Sequence, residues 1–243
     1  MNKLSFLESK YLYAIVLLFC IAYPLAQSFE RRLQYFRKWK YLLIPLLAVI
    51  ACFIPWDIAF TDHGVWWFNE AYFSGLKIIN LPVEECLFFI CVPFACVFIY
   101  EVLNYYVKHP AVSAQGRIIY GCITLLLAVL AVAYYPKLYT GITASAAALF
   151  SLIVLITNPK WASRFFVAFL ISLLPFLLVN GALTGMFTEE ALVNYNEEEI
   201  VGLRIFTIPI EDAIYNFLML GIVISLYEIG KSKAVLNTRK DSR

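Results

Sequence analysis

Charge is scarce in this sequence. Asp, Glu, Lys and Arg make up 15% of its 243 residues, against about a quarter in soluble domains. With 62% of residues apolar, an ordinary water-soluble domain is excluded and an integral membrane protein is indicated. The net charge of +2 is too small to attract nucleic acid, so no nucleic-acid partner is expected. Histidine is rarer still: the only two, His63 and His109, fall in loops. No Cys-x-x-Cys pair occurs. All six cysteines, Cys20, Cys52, Cys86, Cys91, Cys96 and Cys122, sit within apolar runs and read as small buried residues. A metal site and a disulfide framework are therefore not expected. The absence of a Gly-rich phosphate loop argues against a bound nucleotide. The last apolar run, 208–229, contains no lysine, which excludes a retinal Schiff base. Paired Asp-rich motifs for magnesium diphosphate are also missing; Asp57 and Asp62 make a thin version with no second copy. An intramembrane glutamic protease would need an Arg where Phe89 stands, and histidines on later helices.

What is present is a series of long apolar runs. A membrane-spanning helix needs about 20 mostly apolar residues. Seven runs qualify: roughly 10–29, 41–59, 82–105, 117–135, 141–157, 165–184 and 208–229. The first is long for a signal peptide and leads at once into "ERRLQYFRKWK", a basic segment that stays cytoplasmic, so it is kept as a span. Of the 19 Lys and Arg residues, 14 fall in segments 30–40, 106–117, 158–164 and the tail after 229. Only Lys3, Lys10, Lys77, Lys137 and Arg204 fall on the other side. The alternation fits seven spans with the N-terminus outside and the C-terminus cytoplasmic, in the cell membrane.

Shifted by 127 residues, the sequence matches itself. Pro82 falls on Pro209, Glu84 on Glu211 and Glu85 on Asp212. Phe68-Asn69-Glu70 falls on Tyr195-Asn196-Glu197, Gly75-Leu76 on Gly202-Leu203, and Tyr100-Glu101 on Tyr227-Glu228. Shared Pro, Gly, Asn and acidic positions in one register indicate duplication. The expected fold is all-α and membrane-integral, with two parallel three-helix repeats (helices 1–3 and 5–7) joined by helix 4. The corresponding segments are 1–105 for the first repeat, 106–140 for the linking helix, 141–230 for the second repeat and 231–243 for a basic cytoplasmic tail. Because the motif helices are four spans apart, the copies share one orientation, related by an axis along the membrane normal.

Each repeat closes on an acidic motif at the start of a helix, "LPVEECLFF" at 81–89 and "IPIEDAIYNF" at 208–217. Pro82 and Pro209 suit a helix start, and an acid in the first turn complements the helix dipole. Capping needs only one acid, however, and an ionised acid in hydrocarbon is a functional hypothesis by default. Neighbouring residues on a helix point about 100° apart, so one acid of each pair faces a given pocket. Glu84 shares its face with Phe88, Cys91 and Ala95, and Glu211 with Tyr215, Leu218 and Ile222, which suits a greasy ligand. Asp57 lies at the same outer level, with Trp66, Trp67 and Asn69 in the following loop. The Trp residues read either as interfacial anchors or as rings stabilising a cation. Glu101 and Glu228 lie about 25 Å further along their helices and read as partners for nearby lysines.

The two motifs, each closing a three-helix unit, resemble the Pro-x-Glu-Glu/Asp motifs of the carotenoid-ring lycopene cyclases. The similarity is to the membrane type, found as two small subunits in some bacteria and as one fused chain in archaea and fungi. "PWDIAFTDHGVWWFN" is similar to that family as well. Residues 1–105 resemble one subunit and about 140–230 the other. The second copy departs in carrying Asp212 for Glu85, and in having Leu183-Thr184 where the first has Trp56-Asp57.

The resemblance implies a redox-neutral isomerisation. An acid protonates a terminal double bond of lycopene, the next alkene attacks the cation to close a ring, and a base removes a proton. It assigns Glu84 and Glu211 as leading acid/base residues and Glu85, Asp212 and Asp57 as supporting ones. Pro82, Pro209, Trp66, Asn69, Asn196, Phe88 and Tyr215 are the further candidates for shaping the site. No cofactor is required by the net reaction, while flavin or nicotinamide assistance stays open. The implied partners are a lipophilic C40 carotenoid, the bilayer and other enzymes of carotenoid synthesis. Both motifs face one side of the membrane, so one shared centre serving the two substrate ends in turn is expected. A C50 or ε-ring cyclase, a proton-coupled transporter and a non-catalytic carotenoid-binding protein remain as alternatives.

Overall fold

The structure is a computed structural model that describes residues 9–107 and 115–241, with side chains through Ala234. Lys3, His109 and Arg243 lie outside the described residues, as do parts of the loop at 106–117 and of the basic tail. Seven α-helices follow the apolar runs: α1 (Leu12–Gln27), α2 (Leu43–Asp62), α3 (Val83–Tyr106), α4 (Gly116–Ala133), α5 (Leu138–Thr157), α6 (Ala162–Leu183) and α7 (Ile210–Asp241). A 3₁₀ helix, Tyr35–Tyr41, links α1 to α2. Six of the helices, α2 to α7, are long and apolar enough to cross a bilayer. This is a multi-pass membrane protein. The seven-span expectation is modified at α1, which has 16 residues and rises only about 24 Å, short of a hydrocarbon core near 30 Å.

The all-α expectation needs correcting in the loops before α3 and α7. Three two-stranded antiparallel ladders form there: β1 (Trp66–Phe68) with β4 (Val193–Tyr195), β2 (Lys77–Ile78) with β3 (Leu81–Pro82), and β5 (Arg204–Ile205) with β6 (Ile208–Pro209). Loop backbone folded against helix ends must satisfy its own N–H and C=O groups, and short ladders do so. Strands of two or three residues leave almost no period-2 signal in a sequence.

The duplication, at its offset of 127 residues, holds in three dimensions. Ser74 N–H bonds Glu84, and its counterpart Val201 N–H bonds Glu211. Lys77 pairs with Glu70, and Arg204 with Glu197. Gly75 and Gly202 have φ of 92° and 88°, and the hairpin turns place Ile79 and Phe206 at 61° and 57°. The copies meet across a pseudo-twofold axis. In the β1–β4 ladder Trp67 faces Asn194, its own counterpart, while Trp66 faces Tyr195 and Phe68 faces Val193. Asn69 N–H bonds Leu192 O as Asn196 N–H bonds Val65 O. Antiparallel pairing of equivalent strands is the signature of a two-fold relationship. At the far end of the helices the exchange recurs. Tyr227 donates to Glu101, and Tyr100 faces Glu228. Glu101 is also held by Lys38 and Lys231, as the sequence anticipated for that level. The repeats therefore run parallel, with both acidic motifs at the ladder end.

Candidate active site

The first helical turns of α3 and α7 aim their paired acids in different directions. Glu84 and Glu211 turn toward the outer loops. Glu84 Oε1 accepts from Ser74 N–H at 2.9 Å, and Glu211 Oε1 accepts from Val201 N–H at 2.7 Å and from Thr140 Oγ1 at 2.6 Å. They hold the hairpins against the helix starts. The expectation that these two look onto an apolar pocket is corrected by that geometry: their neighbours 100° round the helix do so instead.

Glu85 and Asp212 face a single cavity of about 60 Å³ on the axis between the repeats. Asp57 of α2 completes a carboxyl triad in its wall. All three are less than a tenth exposed. Tyr13 donates to Glu85 Oε2 at 2.6 Å, and Tyr215 donates to Asp57 Oδ1 at 3.0 Å. Glu85 and Asp57 stand in the same cavity wall. Asp212 differs: Tyr139 donates to its Oδ1 at 2.6 Å, while Asn180 and Tyr195 donate to its Oδ2 at 2.6 and 2.8 Å. Burial, and next the adjacent Asp212, push the Tyr195 phenol well above its ordinary range. Tyr195 therefore stays a donor across neutral and mildly alkaline pH.

Aromatic rings enclose the triad. The Trp66 ring lies 5.0 Å from Tyr139 and from Phe60, and 6.4 Å from Tyr195 and from Tyr215. The Tyr139 and Tyr195 rings stack at 5.9 Å. Phe68, Phe88 and Phe176 close further walls. Ring faces of this kind attract a cation. Asn216 is the remaining polar wall residue; it is buried, and neither of its amide atoms bonds another protein group.

Of the residues singled out from sequence, Glu85, Asp212, Asp57, Trp66, Phe88 and Tyr215 meet at the cavity. Asn69 and Asn196 do not; they order the loops, Asn69 bonding Glu190 through its side chain. Pro82 and Pro209 end the hairpins at the starts of α3 and α7. Sequence reasoning did not single out Tyr13, Tyr139, Asn180, Tyr195 and Asn216 for the site. A signal for most of them existed in the repeat. Tyr139, Asn180, Tyr195, Tyr215 and Asn216 stand where the first copy has Leu12, Phe53, Phe68, Phe88 and Phe89. Polar replaces apolar at each, all in one direction.

No curated protein and no solved structure matches the chain. The sequence pattern of the family described as lycopene cyclase matches twice, over residues 10–103 and 136–229. Those two stretches cover more than half of the chain and hold every member of the carboxyl triad. The chain belongs to the lycopene cyclase family.

Proposed function

We propose that the chain closes β-rings at the linear ends of lycopene, giving first a one-ringed and then a two-ringed carotenoid. The observation that carries this reading is the meeting of three carboxyl groups, drawn from both repeats, in one aromatic-walled cavity. Glu85, with Asp57 beside it in the cavity wall, is the donor to the terminal double bond. The faces of Trp66, Tyr139 and Tyr215 stabilise the resulting cation as the next alkene attacks it. Asp212, supplied with three hydrogen-bond donors, is the anion opposite the cation and the acceptor of the departing proton. Asn216, with its amide unpaired by protein, faces the substrate.

One proton enters and one leaves, so the net reaction consumes no reductant and needs no cofactor; flavin or nicotinamide assistance is a matter for reconstitution with pure protein. The small, buried cavity, closed by aromatic rings, limits the water that can capture the cation. The distribution of basic residues supports an orientation with the N-terminus outside and the C-terminus in the cytoplasm, in the cell membrane.

The test is expression in cells that accumulate lycopene. Red cells should turn orange, with ring-bearing products resolved by chromatography, which also reports β- against ε-rings. Unchanged lycopene with the protein present in the membrane would overturn the proposal.

A further inference from the structure

An apolar groove of about 420 Å³ runs between α1, α3 and α6. On α3 its wall extends from Phe88 to Ile99, about 16 Å at 1.5 Å per residue. Phe88 and Phe176 line both the groove and the carboxyl cavity, so their rings form the partition between the two. The inner wall is buried at Val92 and Ala95, while the rim at Phe19 and Leu178 is 73% and 64% exposed. The groove is thus a slot, parallel to the helices and open sideways toward lipid. The second repeat fills its counterpart. Met219 and Ile222 stand where Val92 and Ala95 stand in the first. Met219 is wholly buried, and Phe150, the counterpart of Tyr23, packs directly on Gly221.

We propose that this slot holds the extended polyene chain of the substrate, admitted sideways from the bilayer, while the terminal group passes between Phe88 and Phe176 to the carboxyl triad. The inference rests on the cyclase reading. Long and narrow, without charge and parted from the acid cavity only by the Phe88 and Phe176 rings, the slot fits a linear hydrocarbon and rejects a polar solute. Because it opens onto one centre only, a molecule ringed at one end must leave and return reversed before its second end reacts.

Binding is measured apart from ring formation. Lycopene is achiral and shows visible circular dichroism only when held by a chiral site. Full-length Glu85→Gln protein in lipid discs, loaded with lycopene, should show an induced visible band that empty discs lack. Adding Ala95→Trp, which fills the slot, should remove the band. Adding Leu18→Trp, at a position 65% exposed on α1, should leave it intact. Should Ala95→Trp elute as aggregate, Ala95→Leu decides the same point with a partial loss. Absence of the band in well-folded Glu85→Gln protein, or its persistence after the slot is filled, overturns the proposal. A normal band from the Gln variant beside a wild-type chain that makes no rings would sink the cyclase reading and leave the slot standing; ring formation by the wild type with a band indifferent to Ala95 would do the reverse.

Discussion

The Tyr215 hydroxyl donates a 3.0 Å hydrogen bond to Asp57 Oδ1, joining α7 to α2 across 158 positions of sequence. Their counterparts cannot repeat the bond, since Phe88 stands for Tyr215 and has nothing to donate. The Tyr215 ring also packs edge-on against Phe53 and Trp56, at 5.1 and 5.5 Å. Tyr215→Phe keeps that packing and removes only the donor. Leaving a buried acceptor without it costs about 1–3 kcal/mol, read as a lower unfolding temperature in detergent. Loss of a charge-stabilising donor at the reacting centre lowers ring formation by about 10²-fold. Full activity in the Phe variant would detach Asp57 from the chemistry.

The four motif acids separate by role. Glu85→Gln and Asp212→Asn should each suppress both rings by about 10²–10⁴-fold, as expected for removal of a general acid or base. Glu84→Gln and Glu211→Gln keep an oxygen for the Ser74 and Val201 N–H groups. Their effect should be on stability, about 1 kcal/mol, with cyclisation retained by the folded fraction. Chromatography of products from each variant checks this. Variants of Glu85 and Asp212 that each spared a different ring would establish two centres.

Tyr195 supplies a pH dependence. Its folded-state pKa lies above the ordinary value, chiefly through burial and then through Asp212. Its contribution to stability is therefore complete below about pH 10 and is lost as pH rises further, because the unfolded state ionises first. Wild-type protein should lose unfolding temperature above about pH 10 faster than Tyr195→Phe, so the gap between the two narrows there. A gap constant from pH 8 to 11 would contradict the burial argument.

Two glycines give a packing test. A Cβ on Gly221 would overlap the Phe150 ring, whereas nothing lies within 4 Å of one on Gly121. Gly221→Ala should destabilise by about 1–3 kcal/mol through overpacking. Gly121→Ala should be neutral or stabilising, by up to about 1 kcal/mol from helix propensity. Equal thermal unfolding of the two variants would mean that Phe150 moves aside without cost.

Hydropathy located the helix starts within a few residues because a bilayer demands long apolar runs with few breaks; the end of α7 was missed, since the helix continues to Asp241 through the segment read as a basic tail. The register of the duplication was equally legible, since Pro, Gly, Asn and acidic residues recur at a constant offset of 127 residues, where helices need few of them. The direction of each acid was not. A helical wheel separates Glu84 from Glu85 by about 100° but says nothing of which direction is inward. That is set by the hairpin before α3, whose Ser74 N–H captures Glu84. The hairpins themselves were hidden because each strand has only two residues. The phenols around Asp212 come from α5 and β4, and no spacing rule connects those segments to α7.

The pseudo-twofold axis through Trp67 and Asn194 passes close to a centre whose two sides are unlike. In a dimer of identical copies, every tyrosine facing Asp212 would have its twin facing Glu85, and a filled slot on one flank would mean a filled slot on the other. Donors gathered around the acid of one copy, where the other copy has apolar side chains, are open only to a pair whose members can change separately. Duplication followed by divergence meets that requirement, and it accounts for a symmetric frame with a one-sided interior.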